Sequence, residues 1–102
     1  MSANPARGEA SIRVGGATLV LRPSFAALVA AESELGPLFA LVERAADGRL
    51  TLTETVALFW HCLAERDGAL TREAIGEAIV AQGLSAIAPA LRVLLGQVLS
   101  GR

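Results

Sequence analysis

From Glu9 to Arg22 apolar and polar side chains alternate on either side of Gly15-Gly16, and no other feature restricts the fold of this chain so strongly. A glycine pair tolerates the positive φ angles of a tight two-residue turn, so the alternation reads as two antiparallel strands joined in a β-hairpin. The register comes from the turn. With Gly15 and Gly16 as the loop, Val14 faces Ala17, Ile12 faces Leu19 and Ala10 faces Leu21, which gathers apolar side chains on one face. Arg13 opposite Thr18, Ser11 opposite Val20 and Glu9 opposite Arg22 make the other face mostly polar and wet. An isolated hairpin is only marginally stable in water, so the rest of the chain must cover its apolar face.

Beyond the hairpin the chain is helical in pattern and punctuated by capping residues. After Pro23, Ser24 caps a helix that carries Phe25, Leu28, Val29 and Leu35 on one side and stops at Gly36. Pro37 opens a second helix with Leu38, Leu41, Val42 and Ala45 on one face, ended by Asp47-Gly48. A third starts near Thr51 or Thr53, with Thr51 and Glu54 at capping-box spacing, and runs to Asp67-Gly68. Its Val56, Phe59, Trp60 and Leu63 share a face while Ala57, Leu58 and Cys62 make the other sides apolar, so it belongs at the centre. Thr71 caps a fourth with Ile75, Ala78 and Ile79 inward, ending near Gly83. The last helix bears the stripe Ile87, Leu91, Leu94, Leu95 and Val98, and its regular part is expected from about Pro89, since proline suits a first turn and not an interior.

The expected fold class is therefore mainly α, an N-terminal two-stranded β-hairpin followed by about five short helices in one compact bundle. Residues 1–8, small and polar, read as a disordered lead-in, and 9–102 as a single hairpin-plus-helices domain. At 102 residues the chain can bury one core but not two. A net charge of −1 with acids and arginines interspersed offers no basic stripe for phosphates, so nucleic acid is not an expected partner. The stretch between Glu77 and Arg92 lacks charges but is broken by Gly83 and Pro89, short of a membrane span. Cys62 is the only cysteine, which excludes an internal disulfide and places the chain by default in a reducing compartment, the cytoplasm.

Chemistry finds little to use. Asp-Gly-x-Leu-Thr occurs twice, as Asp47 to Thr51 and Asp67 to Thr71, which invites a calcium loop. Calcium-loop spacing, however, would need ligands at Ala45, Leu63 and Ala74, which have no side-chain oxygen. Both copies read better as a helix-ending glycine followed by a threonine cap. His61 and Cys62 point about 100° apart on a helix and cannot chelate together, so Glu65 is the expected partner of His61 and the core that of Cys62. No phosphate loop, dinucleotide fingerprint or nucleophile elbow is present. The sequence thus assigns no catalytic, cofactor-binding or metal-binding residue and no cofactor, and it implies a protein that binds other proteins without catalysis. Trp60 and the stripe from Ile87 to Leu99 read as core at least as readily as contact surface, and five short helices leave apolar area to spare for a partner or a second copy.

The order of these elements resembles a particular small family. Arg7-Gly8-Glu9 leads into the hairpin, Ala27-Leu28 through Glu32 to Leu35-Gly36 is followed by Leu38 and Leu41, and Asp47-Gly48-Arg49-Leu50 precedes the next helix. In this the chain resembles the gene transfer agent and siphophage proteins encoded near tail tube and tape-measure genes, regarded as tail-assembly chaperones and sometimes labelled tail tube proteins. Ala31, where that pattern tends to carry a bulkier apolar residue, and Pro23 and Pro89 depart from it. The resemblance implies binding to the tape-measure protein, with the major tail protein as a further partner, in the host cytoplasm during tail assembly. The alternative from the residues alone is a generic helical interaction or regulatory domain.

Overall fold

The computed structural model describes residues 9–100, so the lead-in expected over 1–8 lies outside the described residues. Strands β1 (Ala10–Val14) and β2 (Ala17–Leu21) are followed by helices α1 (Phe25–Leu35), α2 (Leu38–Ala46), α3 (Leu52–Cys62), α4 (Arg72–Gln82) and α5 (Leu84–Ser100). The mainly α architecture and the hairpin are as the sequence implies. The strands pair antiparallel as Ala10 with Leu21, Ile12 with Leu19 and Val14 with Ala17, and Gly15 and Gly16 take φ values of +57° and +83°. Those angles are what the two-residue turn requires of its central residues.

The helices begin where side chains relieve the unpaired N–H groups of a first turn. Ser24, Thr51 and Thr71 each accept from the N–H three residues on, that of Ala27, Glu54 and Ala74. Glu54 completes a capping box by accepting from the Thr51 N–H at 2.9 Å. That bond, helped by Arg44, holds the Glu54 carboxyl below the usual carboxylate range. Helix α2 starts at Pro37, which has no capping side chain, and here Glu32 reaches across from α1 to accept from the Leu38 N–H at 3.1 Å.

The core lies around α3. Phe59, Leu58 and Cys62 are buried against Leu21 of the hairpin, Ala31 of α1, Leu41 of α2, Ile75 and Ile79 of α4 and Leu94 of α5. Helices α1 and α4 flank α3, while α4 and α5 pack on β1, so the last two helices cover the hairpin. The hairpin is tied to α3 a second way. Beyond Cys62 the chain runs extended along β2, forming a bridge of Leu63 with Leu21. Arg22 N–H donates to the Cys62 carbonyl at 2.6 Å and Ala64 N–H to that of Val20 at 3.0 Å.

Five expectations from the sequence change. On α1, Phe25 is 85% and Val29 46% exposed, and the inward stripe is Ala27, Leu28, Ala31 and Leu35. At 100° per residue those four span an arc of about 100°, with Phe25 and Val29 outside it. Helix α3 ends at Cys62 and not at Asp67-Gly68, because Leu63 and Ala64 are drawn into pairing with β2. Gly48 follows a helix end with φ of +71°, as expected of the first Asp-Gly, whereas Gly68 lies in a separate turn in which Asp67 Oδ1 accepts from the Ala69 N–H. Glu9 is not on a wet face. It is buried and accepts from Arg22 Nε at 2.6 Å. Finally, Pro89 sits inside α5, which begins at Leu84, since burial of Ile87 holds the turn before the proline in helical form.

Two substitutions test this packing. Phe59→Ala removes the largest fully buried side chain and should lower stability by about 3–5 kcal/mol in chemical denaturation. Pro89→Ala restores an N–H to an exposed position inside a helix and should raise stability by about 1–2 kcal/mol in the same measurement.

Candidate functional site

The densest polar arrangement among the described residues is centred on Glu34, near the end of α1. Arg72, the first residue of α4, grips its carboxylate with both Nη atoms, at 2.6 Å to Oε2 and 2.8 Å to Oε1. His61, near the end of α3, lies 2.8 Å from Oε1 through Nε2. The bidentate contact with Arg72, then the bond to His61, lowers the Glu34 pKa from 4.5 to about 2. A carboxylate ionised at neutral pH only accepts, so His61 is the donor in this contact, through Nε2. Three helices are joined at one carboxyl group.

Trp60 lies beside this cluster, partly buried against the core. The guanidinium groups of Arg66 and Arg72 sit 5.0 Å and 5.6 Å from its ring centroid, within the range of a cation–π contact. The indole is therefore both packed against the core and met by two cations, one of which also holds Glu34. The expected partner of His61, Glu65, is replaced by Glu34, because α3 ends at Cys62 and Glu65 no longer follows one helical turn later. Nothing local in the sequence marks Glu34, whose partners stand 27 and 38 positions away.

Cys62 is buried and its thiol is pushed up to about 12 by loss of solvation, so it stays protonated and packed in the core. Among the described residues no group of three or more histidine, cysteine, aspartate or glutamate side chains could hold a metal ion, and no single helix is long and apolar enough to cross a membrane. The α5 stripe goes mostly inward, with Ile87, Ala90 and Leu94 buried and Leu91 and Leu95 packed against them, while Leu99 is exposed.

Among the described residues, exposed apolar side chains and a cleft could receive another molecule. Phe25 and Val29 on α1 and Phe39 on α2 present large apolar side chains to solvent, Phe39 at 76% exposure. Between the outer edge of β2 and the chain from Ala64 to Leu70 lies an open cleft of about 890 Å³, with Leu19, Val20, Ala69 and Leu70 among its lining residues. The first surface carries no chemistry beyond hydrophobic contact, and the second offers main-chain groups as well.

Residues 7–101 match the family model described as phage tail tube protein, GTA-gp10. No curated protein and no solved structure matches the chain.

The Glu34 cluster predicts an acid-sensitive term in stability. A carboxyl whose folded pKa lies below its unfolded value stabilises the fold above about pH 4.5, and that contribution is lost as pH falls towards about 2. Glu34→Gln should therefore flatten the loss of stability between those two values, followed in denaturant titrations by the fluorescence of Trp60, the only tryptophan. An unchanged acid limb would remove Glu34 from any role in it.

Proposed function

The chain belongs to the phage tail tube protein family GTA-gp10, and we propose that within this tail-related family it is an assembly chaperone that binds the tape-measure protein, not a tube subunit. The observation that carries this reading is the exposure of Phe25 and Phe39, at 85% and 76%, in a fold whose core is complete without them. Exposed side chains of this size suit contact with the apolar face of an amphipathic helix, the mode in which apolar anchors recur every three or four residues. A tape-measure chain, with long apolar helices, is a partner of that kind.

That the described residues form only a two-stranded sheet supports the same reading. A subunit that closes a tube with its neighbours is expected to be β-rich, with long edges to pair. The chaperone would act in the host cytoplasm before the tube polymerises and do so without catalysis, by covering apolar surface until the tube replaces it.

Co-expression with the tape-measure protein tests this. That partner should become soluble only when both are made, and Phe25→Asp combined with Phe39→Asp should reduce the co-purified amount by about tenfold. Each of these surface changes should alter the chaperone's own stability by no more than about 0.5 kcal/mol. A tape-measure protein that remains insoluble in the presence of the wild-type chain would overturn the proposal.

A further inference from the structure

The outer edge of β2 is only half occupied. Its Val20 carbonyl accepts from Ala64 N–H and its Arg22 N–H donates to the Cys62 carbonyl, so the even-numbered residues of β2 direct their main-chain groups away from β1. Strand periodicity is two, and Thr18 must therefore direct its N–H and C=O the same way. Among the described residues neither group has a backbone partner, because the chain that pairs with β2 at Leu63 and Ala64 leaves the edge and runs on through Glu65 to Leu70. Where it leaves, the cleft opens, and Ala17, Thr18, Leu19 and Val20 line one side of it.

From this we propose that the β2 edge at Thr18 is a strand-addition site for a short extended segment of another protein, uncharged and with small apolar side chains at alternate positions. The segment continues, along the same edge, the pairing that residues 62–64 begin. Its main chain takes the Thr18 N–H and C=O. Its alternate side chains enter the cleft against Leu19, Ala69 and Leu70, which are apolar and leave room for small groups. Arg22 is already engaged by Glu9, and Arg66 remains against Glu65 and Asp67, so the cleft holds no concentrated charge for a charged segment to meet. A second copy of the chain is a poorer fit. A stable dimer interface takes roughly 20–30 residues a side, and this edge is far shorter. The site stands apart from the tail-assembly reading, since it needs no tape-measure protein and uses strand pairing where that reading uses helix contact.

The probe is a capped hexapeptide of alternating valine and threonine, followed by backbone amide exchange and amide chemical shifts in the full chain. At saturation the Thr18 amide should exchange about tenfold more slowly, with shifts confined to residues 17–20 and 64–70. The same peptide with alternate amides N-methylated, which cannot complete the pairing, should leave both unchanged. Thr18→Pro removes the donor at an edge position where proline is tolerated, and Ala69→Arg fills the cleft without touching the hairpin. Either should abolish the peptide-induced shifts at residues 64–70, and Ala69→Arg should also abolish the protection of Thr18, so the test survives if one variant fails to fold. Three results would overturn the proposal: no protection of Thr18 by saturating peptide, equal binding by the N-methylated peptide, or slowed exchange at Thr18 that depends on protein concentration without peptide, which assigns the edge to a second copy. None of them bears on solubilisation of the tape-measure protein.

Discussion

Two main-chain hydrogen bonds, Arg22 N–H to Cys62 and Ala64 N–H to Val20, hold the hairpin to the helices, and most of the remaining architecture depends on them. A two-stranded sheet with bare edges and one wet face is marginal in water. Here the end of α3 unwinds at the point where it can lend its own backbone to β2, and the residues that make the junction, Leu21, Cys62 and Leu63, are buried. The central helix thus acts on the sheet twice, once through Phe59 and Leu58 in the core and once as a short strand at the edge. With that junction set, α1 and α4 can only flank α3, and α5 has β1 left to cover.

Inside and outside are organised by different forces. The interior is apolar, aliphatic side chains around Phe59, with one buried thiol and a buried glutamate matched to an arginine. Outside, Glu34 gathers Arg72 and His61 and, through Arg72, the ring of Trp60, so that three helices are fastened by charge near the surface. Exposed ion pairs contribute little singly, and a network sharing one bidentate carboxylate is the better case for a real contribution. The large apolar side chains at the starts of α1 and α2 belong to neither system, which is why they read as contact surface.

The hairpin was legible because alternation and a glycine pair leave one register, and the helix starts were legible because Ser24, Thr51 and Thr71 announce caps through chemistry that acts over three residues. The inward face of α1 was not. Size suggested Phe25 and Val29, whereas close approach to α3 selects the smaller Ala27 and Ala31. Ala31, the departure from the family pattern, is fully buried in that contact. Tertiary events hid the rest: the early end of α3, the burial of Glu9 and the convergence on Glu34 each rest on residues far apart in sequence. Pro89 was misplaced because the preference of proline for a first turn was weighed without the burial of Ile87. Of the candidate surfaces, composition implied only that apolar area would be left over, and the open half of the β2 edge required the backbone.

The covering of β1 by α5 also fixes an order of events. Of the described elements β1 is made first and is covered by α5, made last, and the Gln82 side chain of α4 reaches back across 69 positions to the Arg13 carbonyl. At synthesis rates of about 5–20 residues per second, Leu21 waits roughly 4–16 s for the end of α5. Throughout that interval the nascent hairpin lacks its cover, and its apolar face is open to whatever else is in reach of the ribosome. Each newly made copy is for those seconds itself a sticky, half-finished chain, and its hairpin is sealed only once α5 has closed over β1.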